Sequence, residues 1–126
     1  MENKVYENDF VSLEFRNKIL YAKYKVSTID LNAAKNATDF RMSITDGRKV
    51  PAIVDISSVK HVDKATRIFF SSSEAGRDLL ALAVILSNPV TRMMGNFFIK
   101  FYQPEYPFKF FTSLNEAVEW IEDFTK

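Results

Sequence analysis

Between Asp55 and Asp63 the chain reads Asp-Ile-Ser-Ser-Val-Lys-His-Val-Asp, which places two carboxylates, two hydroxyls and an imidazole in one short stretch. Such a set can do three things. A serine beside a histidine and an aspartate can act as a nucleophile, with the imidazole as base and the carboxylate orienting it. Hydroxyls and a carboxylate at a strand end can orient a ligand or a partner's backbone. The same groups can also accept hydrogen bonds from the N–H groups of their own turn. The nucleophile reading lacks the Gly-x-Ser-x-Gly elbow, and nearness in sequence does not set triad geometry. The turn reading is therefore preferred, with His61 an ordinary surface residue and the Asp55 carboxylate accepting from the 57–59 turn. A small enzyme using Ser57 or Asp55 as the reacting group is the alternative. The ligand- or partner-binding candidates here are Asp55, Ser57, Ser58, Asp63, Lys64 and Arg67.

Several other chemistries are disfavoured by composition. The 126 residues include no cysteine and one histidine, so thiolate or histidine-rich metal sites and disulfides are not expected. Gly47, Gly76 and Gly95 are isolated, and neither a P-loop nor a dinucleotide fingerprint is present. No metal, nucleotide or other cofactor is expected. A net charge of +1 argues against a strong sequence-independent pull on nucleic acid. The pairs Glu116/Glu119 and Glu122/Asp123 read as a solvated helix face. Arg67, Arg77 and Arg92 could assemble an anion site, but arginines on the polar side of helices are commonplace. MENKVYEND lacks a signal-peptide core, and the longest apolar run, residues 79–86, falls well short of the roughly 20 residues that span a bilayer. The expected compartment is the cytoplasm, with no transmembrane segment.

Length and a 47% hydrophobic, 26% charged composition fit one soluble domain over residues 1–126. Alternation in 10–15 and 19–26 around Arg16-Asn17-Lys18 predicts an antiparallel hairpin. Leu31, Ala34, Ala37, Phe40 and Ile44 recur at helical spacing between an Asp30 cap and an Asp46-Gly47 stop. Val50–Ile56 reads as a buried strand. Asp63 then caps a helix carrying Ala65, Ile68 and Phe69, and one ring of the Phe69-Phe70 pair should turn away from that face. Ser71-Ser-Ser-Glu74 matches a capping box able to restart that helix. Residues 79–86 read as a central strand covered on both faces.

Pro89 and the stripe Val90, Met93, Met94, Phe97, Phe98 and Phe101 predict an amphipathic helix over 89–102. A strand at 108–112 follows. The last helix starts at the Ser113–Glu116 box and has Leu114, Ala117, Val118, Ile121 and Phe124 on its inner side. The order is ββαβαβαβα: an α/β fold with a mixed, mostly parallel sheet flanked by helices.

The strand ending in 55-DIS-57, the second aspartate at Asp63 and this element order resemble the STAS domain of anti-sigma-factor antagonists, the SpoIIAA-like fold. The 92-RMMGNFFIKF-101 segment and its following strand resemble small bacterial STAS-like or lipid-binding-like proteins, many without an assigned function. The resemblance implies a regulatory or binding module instead of an enzyme. In that family the phosphorylated hydroxyl directly follows the second aspartate, whereas this chain has Lys64 and Ala65 there. The phosphorylation switch is therefore not expected to carry over.

Twelve phenylalanines are many for this length. Ile99 and Tyr102 fall off the 89–102 stripe, so that helix is apolar over more than half its circumference. Such a surplus fills a core, lines a pocket or meets a partner. The expected partners are accordingly a second copy in a homodimer, a partner protein or an apolar small ligand, with Ile99 and Tyr102 added to the candidate contact residues.

Overall fold

A computed structural model describes residues 4–87, 89, 91–93 and 105–126 of the protein. Strand β1 (Val5–Glu7), which the alternation pattern did not reveal, adds antiparallel to β2 (Val11–Arg16), and β2 turns back into β3 (Ile19–Tyr24). Asn17 and Lys18 form the two-residue turn with φ of 52° and 71°. Positive φ at both central residues gives the turn a twist that matches the flanking strands. From β3 the sheet continues in parallel through β5 (Val50–Asp55), β7 (Leu79–Ile85) and β8 (Phe108–Phe111), giving the order β1-β2-β3-β5-β7-β8. Between them, β4 (Thr28–Ile29) and β6 (His61–Val62) form a separate two-stranded parallel pair. Proline cannot donate to a ladder, and the register of β5 against β7 shifts between Val50 and Pro51.

The caps expected at Asp30, Asp63 and Ser113 are present. Asp30 Oδ1 accepts from Ala33 N at 2.8 Å to open α1 (Leu31–Thr45), which stops at Asp46 (φ 51°) and Gly47 (φ 82°). Asp63 Oδ1 accepts from Thr66 N at 2.9 Å to open α2 (Lys64–Phe70). Ser113 opens α3 (Leu114–Ile121), accepting from Glu116 N at 3.4 Å, and a 3₁₀ turn over Glu122–Phe124 follows.

The mixed sheet is covered on both faces. On one, α1 and α2 pack over Val11, Leu13, Leu20, Tyr24 and Ala52. On the other, Ala117 and Ile121 of α3 pack on Ile19, Ile53, Ala81, Ala83 and Ile85. Trp120 bridges Phe111 and Phe124, with ring centroids 5.7 and 5.1 Å away.

Several local expectations are corrected. In α2, Ala65 and Ile68 face outwards, and Thr66 and Phe69 face the core. Both Phe69 and Phe70 pack inwards, the Phe70 ring meeting Tyr24 edge-on at 6.4 Å. Ser71–Glu74 does not restart a helix. The Ser71 and Ser72 hydroxyls donate back to the carbonyls of Ile68 and Phe69, closing α2, and the chain passes through turns to Asp78. Leu114, at the first turn of α3, is exposed. Pro89 and Thr91–Met93 are helical, but Met93 is 71% exposed and Thr91 is the buried residue. Val90, Met94, Phe97, Phe98, Ile99, Phe101 and Tyr102 lie outside the described residues.

Candidate functional site

Strand alternation turns every second residue of five strands towards α1 and α2. Val11 and Leu13 come from β2, and Leu20, Ala22 and Tyr24 from β3. Ala52 and Val54 come from β5, Leu82 and Val84 from β7, and Phe108 and Phe110 from β8. Helix α1 lays Ala37, Thr38 and Arg41 over them, and α2 adds Arg67 and Phe70. The side chains do not meet completely, because Ala22, Ala37, Ala52 and Ala75 contribute little more than a methyl group each. They surround a cavity of about 140 Å³ whose wall is almost wholly apolar.

Arg41 of α1 gives the cavity a polar pole, and Arg67 of α2 is the second cation of its lining. Arg41 is only 9% exposed, although guanidinium groups are almost never buried unless paired. Its Nη1 donates to Arg77 O at 2.8 Å and its Nη2 to Ala75 O at 2.9 Å, so the 71–78 turn holds the fork by two backbone carbonyls. Among the described residues, no carboxylate pairs with it; the ion pairs Arg16–Glu14, Lys25–Glu7 and Lys126–Asp123 lie elsewhere. Burial lowers the guanidinium's pKa, while Tyr106, Asp78 and Tyr24 act on it in the opposite sense. It remains a cation at neutral pH.

Two phenols accompany this cation. Burial pushes Tyr106 up to about 12 and also raises Tyr24, with Arg41 partly opposing each shift. Both are therefore neutral hydroxyls at physiological pH. Gly76 lets the Tyr106 ring come this close: a Cβ at that position would lie 2.9 Å from Tyr106 Cδ2, closer than carbon atoms pack. The turn thus presents two carbonyls to Arg41 and yields space to the ring beside it.

The loop singled out from the sequence forms one end of this arrangement but mostly faces away from it. Asp55 Oδ1 accepts from Ser57 N at 2.8 Å, so the carboxylate is engaged in its own turn, and Val59 N donates to Ile56 O. Ser58 is exposed and Ser57 half-buried. His61 is exposed on β6, where it pairs with Thr28. Asp63 caps α2; the Thr66 hydroxyl beside its carboxylate, and the Thr66 amide, hold its pKa below the ordinary range. Lys64 is exposed.

Of the loop set, Arg67 alone lines the cavity, with Nη1 donating to Val62 O at 2.6 Å. Ile56, Val62 and Thr91 also reach it, and the buried Thr91 hydroxyl donates to Val59 O. Arg77 and Arg92 are exposed and do not join Arg67 in an anion site. Ile99 and Tyr102 lie outside the described residues.

Sequence reasoning missed Arg41. The signal was present, because Ala34, Ala37, Thr38, Arg41 and Thr45 share one helical stripe, and an arginine within it must be buried with them.

A domain family described as a domain of unknown function, DUF7793, matches residues 13–125. The chain belongs to the DUF7793 family. This DUF7793 chain also superposes on the crystal structure of an uncharacterized protein from the DUF3478 family with a SpoIIAA-like fold, from Shewanella loihica PV-4. The two share 16% identity with a TM-score of 0.64, and the match covers 96% of each chain. The SpoIIAA-like fold inferred from the strand-end motif and element order is therefore correct. A comparison with curated proteins finds no match. Among the described residues, no helix is long and apolar enough to cross a membrane, and no cluster of three or more His, Asp or Glu could hold a metal ion.

Proposed function

We propose that this DUF7793 domain is a non-catalytic binding module that takes up an apolar small molecule between its sheet and helices α1 and α2. The cavity carries this reading. It is lined from five strands of the mixed sheet, from Ile29 and Val62 of the β4–β6 pair, from α1 and α2 and from the 71–78 turn, and it has a volume of about 140 Å³. Apolar cavities near this size, about 150 Å³, stay dry and admit benzene. Against an enzyme stands the placement of the reactive groups. The Asp55 carboxylate is bonded to its own turn, His61 points to solvent, and neither lines the cavity. A base, a nucleophile and a substrate pocket do not converge among the described residues.

The module does not use the switching serine of STAS domains. Lys64 and Ala65 cannot accept phosphate as a hydroxyl ester, and the nearest hydroxyl, that of Thr66, is 0% exposed.

Titration with toluene, read from the methyl resonances of Leu13, Leu20 and Leu82, tests the reading. Saturable shifts confined to these and neighbouring cavity residues are expected. Their absence, or shifts spread evenly over the surface, would overturn it.

A further inference from the structure

We infer that the ligand of this cavity is a small apolar monocarboxylate whose carboxylate is bound by Arg41. The inference rests on the proposed function above and adds the chemistry of the ligand's head. A guanidinium taken out of water costs several kcal/mol unless it is paired and hydrogen-bonded. Arg41 is nine-tenths buried, yet its hydrogen bonds are to two neutral carbonyls, Ala75 O and Arg77 O. Those two bonds leave other N–H groups of the fork for a further acceptor. Asp78 contributes only at longer range, without an ion pair.

The geometry favours a carboxylate over other acceptors. The planar fork accepts a carboxylate through two parallel bonds. The Arg41 guanidinium balances one negative charge, and Arg67, the other cation of the lining, has its Nη1 on Val62 O at the loop end. Tyr106 and Tyr24 line the same cavity, and their phenols stay protonated. Apart from Arg67, Thr38 and Thr91 the remaining wall is apolar, so the rest of the ligand is mostly hydrocarbon. A cavity of about 140 Å³ limits it to an aromatic ring or a chain of about five to eight carbons.

Benzoate and hexanoate, compared with benzyl alcohol and 1-hexanol, separate the head from the body at about pH 7, where both acids are ionised. With the wild-type protein, each acid should bind at least about tenfold more tightly than its alcohol. The amides of Ala75, Gly76 and Arg77 should shift along with the cavity methyls. Arg41→Met should weaken acid binding about 10- to 100-fold while leaving alcohol binding within about twofold, and Arg41→Lys should recover part of the loss.

Alcohols binding as well as acids would overturn the carboxylate head and leave the apolar cavity as a site. Acid binding unchanged in Arg41→Met would do the same. If neither acids, alcohols nor toluene bind, the cavity reading falls as well. Should Arg41→Met fail to fold, the wild-type comparison of acid with alcohol decides alone.

Discussion

Asp55 and Asp63 close the two ends of one loop, and each does so with a carboxylate oxygen on a backbone N–H. Asp55→Asn keeps an acceptor for Ser57 N but loses the charge that strengthens the bond. It should cost about 1–2 kcal/mol in urea unfolding, and no more, because a neutral acceptor remains. Asp63 makes a different prediction, in pH. Its folded-state pKa lies below the ordinary aspartate value of 3.8. A carboxyl lowered in this way stabilises the fold above the unfolded value, and the contribution is lost as pH falls through the folded value. The melting temperature of Asp63→Ala should therefore trail wild type at neutral pH, with the gap closing in acid below pH 3.8. A gap that persists unchanged in acid would mean that the cap acts without its charge.

At the scale of elements, the caps were legible and the helix phases less so. Asp30, Asp63 and Ser113 were readable because an N-cap is a local bargain between one side chain and one amide. The phase of α2 was not, since seven residues make under two turns and Ala65, Ile68 and Phe69 fit one face nearly as well as Thr66, Phe69 and Phe70. The sheet decides between them by offering Tyr24 to the Phe70 ring. Phe69→Ala should accordingly cost about 3–5 kcal/mol, as deletion of a buried ring does. Ile68→Ser, on a residue 46% exposed, should stay within about 0.5 kcal/mol. Equal losses in denaturant melts would show that α2 is rotated from its described position. The serine run differs from expectation for a related reason: Ser71 and Ser72 donate backwards to close α2, and it is Ser72, not Ser71, that accepts forward, from Ala75 N, uses of the hydroxyl that sequence spacing does not distinguish.

For the whole molecule, the main strand-helix order, without β1, β4 and β6, and the SpoIIAA-like fold could be read from periodicity and the Asp-x-Ser junction, but the cavity could not. Its walls come from strands whose members lie far apart in the chain, and each inward residue looks like ordinary core on its own strand. What makes a void is the coincidence of Ala22, Ala37, Ala52 and Ala75 around one point, a property of the assembled layers and of no segment. That coincidence can be undone at a single position. Ala37 is 6% exposed on α1, one turn from Arg41, and its methyl group faces the sheet. Ala37→Met would send a flexible apolar side chain into the empty space, adding burial without removing any existing contact. If the void is structural slack, filling it should raise stability by about 0.5–2 kcal/mol, as cavity-filling changes do. The same change should abolish toluene and hexanoate binding while Arg41 keeps its bonds to Ala75 O and Arg77 O. A variant that is more stable yet no longer binds would mean that the space is kept open at a cost in stability, as expected of a ligand site. A variant destabilised by about 1–3 kcal/mol would instead show that the layers are already tightly packed there.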